Sequence, residues 1–158
     1  MLGRKSKTGA KKKIMFVDEY NDLQSQIAEY FVKEMYGDMY DVHSAGPKFD
    51  CVNCELISVM YQLGYDIRAE RSKDFTYKKI PSKLDYIIFV EKKTYDRIKD
   101  VIPWEAPQIM EDFGRKNNFE EATDDSELYE CYKSLVEKVR EWVETTFADP
   151  ETLKSEVI

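Results

Sequence analysis

Lys13-Ile14-Met15-Phe16-Val17-Asp18-Glu19-Tyr20-Asn21-Asp22-Leu23-Gln24-Ser25-Gln26-Ile27-Ala28-Glu29 decides how this chain is read. The first five residues are a short apolar run, as expected of a strand buried on both faces, and the run stops abruptly at the polar residues that begin with Asp18. From Gln24 onward Ile27, Ala28, Phe31, Val32 and Met35 recur at helical spacing, and Gly37 is placed to end the helix. A strand, a polar loop and a helix therefore follow one another within about 25 residues.

The pattern repeats outward from there. Tyr40 to Gly46 alternates and turns at Gly46-Pro47, which predicts a second strand. Leu56, Ile57, Met60, Tyr61 and Leu63 form a helical stripe closed by Gly64, with Asn53 or Asp50 placed to cap it. Leu84 to Val90, the most apolar stretch, predicts a third strand, and Tyr95, Ile98 and Val101 a short helix ended by Pro103. Pro107 to Met110 predicts a fourth strand opening into a polar loop over Glu111 to Asp125. Leu128, Tyr132, Leu135, Val136, Val139, Trp142 and Val143 then make a long amphipathic helix. Strands alternating with helices imply an α/β fold of parallel β-α-β units with helices on both faces of the sheet. In such sheets ligands sit at the carboxyl ends of the strands, which directs attention to the loop after Val17.

Composition narrows the class. A chain of 158 residues with 42% hydrophobic and 13% aromatic residues can bury one core and is too apolar to stay disordered. No apolar run approaches the roughly 20 residues a membrane span requires, and the N-terminus lacks the apolar core of a secretory signal. Three cysteines are too few for a disulfide framework, so the cytoplasm is the expected compartment. The net charge of -7 hides a division, because residues 1–13 carry Arg4, Lys5, Lys7, Lys11, Lys12 and Lys13 and no acid. The rest is acidic, which argues against nucleic acid as a partner. The expected layout is a basic disordered leader over 1–12, a domain over 13–147 and a C-terminal tail over 148–158.

The quoted stretch resembles the loop of the low-molecular-weight protein tyrosine phosphatases and related arsenate reductases, in which a first strand runs into C-x-x-N-x-C-R-S and a helix that often begins S-Q-M-A-E. Asn21, Ser25, Gln26, Ala28 and Glu29 match in register. Ser44-Ala45-Gly46 is similar to the family's S-A-G turn. Gly64-Tyr65-Asp66-Ile67, Arg71-Ser72-Lys73 and Asp85-Tyr86-Ile87-Ile88 resemble its later segments, and Glu111-Asp112 falls where its late acidic segment stands. The resemblance covers about residues 12 to 146 and implies a three-layer sandwich around a four-stranded parallel sheet in the order 2-1-3-4.

The resemblance also places Asp18 at the family's nucleophilic cysteine and Gln24 at its anion-holding arginine. Thiolate attack needs a cysteine at a helix start, and the transferring oxygens need a permanently charged planar fork. Asp18 and Gln24 supply neither. The candidate binding loop comprises Asp18, Glu19, Tyr20, Asn21, Asp22, Leu23, Gln24 and Ser25, and its three acids stand where an oxyanion would have to enter. Leu23 holds the position of the second arsenate-reductase cysteine. Asp112 occupies the place of the family's general acid, with Phe113 where a proline is usual, and is expected to be structural.

Other constellations point to different chemistry. Cys51-Val52-Asn53-Cys54 lies at a helix start, whose dipole favours a thiolate, and offers a redox pair. A zinc site there would need Cys131 and His43 as well. His43 reads better as a polar edge residue. Asp18-Glu19 is similar to the acidic pair of response-regulator receivers, but Glu91 stands where a phosphorylated aspartate is needed and no fifth strand is found. Tyr20 removes the second carboxylate of a D-x-D phosphatase. The expectation is thus a phosphatase-like protein silent toward phosphoryl and arsenate groups, without a cofactor, acting as a binding or regulatory module for a protein or small-molecule partner that the sequence does not name. The alternative is an enzyme with changed chemistry, in which Asp18, Glu19 and Asp22 hold a divalent cation or Cys51 and Cys54 cycle as a redox pair.

Overall fold

The computed structural model describes residues 10–114, 119 and 122–158. Among these, the order is β1 (Lys12–Val17), α1 (Gln24–Tyr36), β2 (Tyr40–Ala45), α2 (Cys54–Gln62), β3 (Tyr86–Phe89), α3 (Lys92–Ile98), β4 (Gln108–Met110), α4 (Asp125–Thr146) and α5 (Pro150–Glu156). The four strands form one parallel sheet in the order β2-β1-β3-β4, as expected.

Each strand of the sheet sends alternate side chains to opposite faces, and this divides the core in two. Ile14, Phe16, Val42 and Ile88 meet Ile27, Phe31, Leu56, Met60, Val136, Val139 and Leu153 on the face covered by α1, α2, α4 and α5. Met15, Val17, Ile87 and Phe89 meet Leu84, Ile98, Phe75 and Trp104 on the other face, under α3 and the segments beside it. Burial of each large apolar side chain is worth about 1.5–3 kcal/mol, so the central strand β1, whose last four residues are fully buried, anchors both layers.

The register aligns the carboxyl ends: Val17 pairs with Ala45 on one side and Phe89 on the other, and Phe89 pairs with Met110. The chain leaves β1 toward β2 on one side and later returns to β3 on the other, so the loop after Val17 opens at the switch in strand order.

Several boundaries differ from expectation. β3 is confined to Tyr86–Phe89, and α3 ends at Ile98 rather than running on toward Pro103. Asn53, not Asp50, caps α2, its side chain accepting the Leu56 N–H at 3.0 Å. Lys12 belongs to β1 rather than to the leader, and residues 1–9 of that leader lie outside the described residues. So do 115–118, 120 and 121 of the expected loop. Residues 150–156 are a helix rather than part of a simple tail. Asp149 accepts the Glu151 N–H, Pro150 opens the helix, and Leu153 is fully buried in the first core. Among the described residues no helix is long and apolar enough to cross a membrane.

Candidate functional site

The loop between β1 and α1 begins at Asp18, which is fully buried. Helix α1 starts without a local side-chain cap, because its N-cap residue is Leu23. Asp18 takes that role from a distance, with its Oδ2 accepting the backbone N–H of Ser25 at 2.9 Å. A carboxylate there both satisfies a first-turn donor and sits at the positive end of the helix dipole.

Asn21 is the described non-glycine residue with positive φ, at 50°, a conformation that Asn tolerates better than most residues. Its buried amide organises the loop from within. Nδ2 donates to Ser25 Oγ at 2.9 Å and Ser44 Oγ at 2.8 Å, while Oδ1 accepts from the Lys73 N–H at 2.9 Å and from Gln26 Nε2 at 3.1 Å. Ser44 in turn donates to Glu29 Oε1 at 2.5 Å. Glu29 is bonded to Lys33 at 3.0 Å and faces buried Lys73 at 3.9 Å. Burial pushes the Lys73 ammonium below the usual lysine range, with Glu29 opposing only in part. Gln26 Nε2 also donates to the Asn21 and Arg71 carbonyls.

The outer side of the loop is tied to its neighbours. The Glu19 N–H donates to Glu91 Oε1 at 3.0 Å, and the Glu19 carboxylate accepts from Thr94 Oγ1 and the Arg97 guanidinium. Burial acts to raise the Glu19 value, but the Arg97 and Thr94 bonds outweigh it and hold the group below the usual glutamate range. Tyr20 offers its carbonyl to Ser72 Oγ at 2.6 Å, and the Asp22 carbonyl accepts the Asn53 N–H at 3.0 Å. The side-chain amide of Gln24 donates to the Gly114 carbonyl. Asp112 Oδ1 accepts the N–H groups of Lys92 and Gly114, both at 3.0 Å, so it fixes the turn after β4 against the start of α3.

The structure therefore brings Asp18, Asn21, Ser25 and Gln24 together around one turn and places Asp112 beside them through Gly114. Of the three acids of the loop, Asp18 turns inward to α1 and Glu19 turns to α3. Among the described residues no group of three His, Cys, Asp or Glu side chains is placed to hold a metal ion. Cys51 and Cys54 are exposed free thiols on the neighbouring connection before and at the start of α2. His43, on edge strand β2, pairs with Asp41 at 3.1 Å. Sequence reasoning missed Glu91, Thr94 and Arg97 as partners of the loop, because nothing in a polar run after a strand announces which of its residues fold back 72 or more residues.

The arrangement of a central parallel strand, a tight polar turn and the N-terminus of α1 matches a known family over nearly the whole chain. The sequence profile of the low molecular weight phosphotyrosine protein phosphatases aligns with residues 13–155. The chain belongs to that family. An arsenate reductase of Halalkalibacterium halodurans is 35% identical over 78 residues, 49% of this chain and 55% of that protein. The chain thus spans about half the length of that relative. An arsenate reductase of Oceanobacillus iheyensis is 31% identical over 103 residues, 65% of this chain and 70% of the relative. The solved low molecular weight protein tyrosine phosphatase of T. tengcongensis superposes with a TM-score of 0.62 at 15% identity, covering 92% of this chain and 99% of that one, which supports the fold alone. The phosphatase-family profile ends at residue 155, within α5, consistent with that helix being part of the packed domain.

Proposed function

We propose that this member of the phosphatase family is silent toward phosphoryl and arsenate groups and serves as a binding or regulatory module. The observation that carries the reading is the Asp18 carboxylate, fully buried at the loop's base and bonded to the Ser25 N–H. In the family resemblance this is the nucleophile's position. A carboxylate held there is a weak attacking group, and its charge repels an incoming oxyanion from the N–H groups that would stabilise it. Gln24, at the position of the anion-holding arginine, is neutral and has its amide engaged with the Gly114 carbonyl. Asp112, at the general-acid position, spends one oxygen on two backbone N–H groups, which supports a structural role for it.

The test is turnover of p-nitrophenyl phosphate and of arsenate with a thiol reductant, beside thermal melting in inorganic phosphate. The expected result is no turnover, and no shift in melting temperature with phosphate at about 10 mM, where a weak specific site would register. Turnover that disappears in Asp18→Ala would overturn the proposal.

A further inference from the structure

Charge on this protein is segregated between the two sides of the sheet. Residues 71–99 hold nine basic and four acidic residues, although the whole chain has a net charge of -7. Residues 125–156 hold nine acidic and four basic residues. The first group covers one sheet face through Phe75, Ile80, Leu84 and Ile98, beside Ile102 and Trp104 of a following segment that adds the acids Asp100 and Glu105, and the second covers the opposite face through Val136, Val139 and Leu153. The basic side is built from two surface elements, the segment before β3 with Lys78, Lys79 and Lys83, and α3 with Lys92, Lys93 and Arg97, all exposed. Lys92 is paired with Asp96 and Arg97 with Glu19. Among the described residues Lys78, Lys79, Lys83 and Lys93 carry no ion pair. Four ammonium groups on one face of an acidic protein create a local positive field that the rest of the molecule opposes.

We propose that this basic face is a docking surface for an acidic segment of a partner protein. Lysines act as point charges that steer an oppositely charged partner and set its register, without the planar fork that grips phosphates bidentately. Asp74, Asp85, Asp96, Asp100 and Glu105 interrupt the patch. That spacing suits a short run of carboxylates with gaps better than a dense polyphosphate, and a long nucleic acid would extend past the patch onto acidic surface. A second copy presenting its acidic helices is disfavoured. The contact would be head-to-tail, joining unlike faces, and net negative charge separates the copies. The inference stands whether or not the loop at Asp18 is silent, because none of these lysines belongs to it.

The probe is a fluorescein-labelled decaglutamate peptide titrated with the full chain. In parallel, an oligothymidylate of equal length and phosphatidylserine vesicles are titrated, and the protein alone is sedimented. Peptide binding is expected in about 20 mM salt and is expected to weaken steeply by about 200 mM, as the Debye length shortens. The Lys78→Glu/Lys79→Glu/Lys93→Glu variant should lose affinity about tenfold or more, and the neutral Lys78→Gln/Lys79→Gln/Lys93→Gln variant somewhat less. Arg140→Glu, on the exposed side of α4, should bind as the parent does. The basic residues at 4–13 are retained in every variant, so a loss is assignable to the face. The proposal is overturned if the peptide does not bind at low salt, if the Gln variant binds as tightly as the parent, if the oligonucleotide or vesicles bind more tightly than the peptide, or if the protein alone assembles through this face.

Discussion

A β-carbon built on Gly46 would stand 2.4 Å from the carbonyl oxygen of Asp18, 2.8 Å from that of Glu19 and 3.1 Å from the Asn21 nitrogen. All three are backbone atoms of the loop, and that backbone is fixed by the Asn21 amide, by Ser44 and by the pairing of the Gly46 N–H with the Lys73 carbonyl. The position therefore requires glycine for close approach of two chains. Gly46→Val should destabilise the protein by about 1–3 kcal/mol, the usual cost of overpacking, and more if the loop cannot shift. Urea unfolding measures this, and an unchanged midpoint would mean the loop lies further from β2 than described. At this scale the sequence was informative where backbone geometry dictates residue type. Ser44-Ala45-Gly46 was legible as a turn closing over the loop, and Asn21 as part of it. The buried partners Glu29 and Lys73 were not legible as a pair, since a charged residue within a helical stripe reads equally well as solvent-facing.

Asn53 works at the scale of whole elements. Its side chain caps α2 through the Leu56 N–H, its amide donates to Tyr132 on α4 at 3.0 Å, and its own N–H reaches the Asp22 carbonyl. Asn53→Ala removes the cap and leaves Tyr132 with Glu55 as its remaining side-chain partner, at 3.2 Å. The loss should be about 1–2 kcal/mol in equilibrium unfolding, typical of a cap plus one hydrogen bond. Asn53→Asp, which keeps the acceptor but not the donor, should fall between the parent and Asn53→Ala, and an Asn53→Asp variant as stable as the parent would remove the link to α4 from the account. The cap was readable because Asn immediately before an apolar helical stripe has a mechanism. Helix α5 carried comparable signals in Asp149-Pro150-Glu151, yet a seven-residue helix shows too little periodicity to separate it from a polar tail. The short β3 and α3 reflect the same limit, because apolar residues continue into the core beyond the hydrogen-bonded ladder or turn.

For the molecule as a whole, the loop after β1 is held by both layers at once. Asn21, Ser25 and Asp22 join it to α1, β2 and α2 on one side, and Glu19 joins it to Thr94 and Arg97 of α3 on the other. The sheet order and its two cores were legible from periodicity together with family resemblance. This long-range clamp was not, since it depends on tertiary approach rather than on local pattern. Its electrostatic part makes a pH prediction. Although burial acts to raise the Glu19 value, the bonds from Arg97 and Thr94 hold it below the ordinary 4.5. The folded state thus binds the proton less readily than the unfolded chain. The stability from this carboxylate is fully present above pH 4.5 and is lost as pH falls through the lowered folded value. Arg97 is half exposed, so solvent screening limits the effect, and Glu19→Gln should cost less than about 1 kcal/mol near pH 7. The gap between parent and variant melting curves should close as the solution is acidified below pH 4.5, and it should narrow at neutral pH in about 0.5 M salt. A gap that stays constant across the acid range would assign the difference to packing of the Glu19 side chain, and the clamp to α3 would then rest on its backbone bond to Glu91 alone.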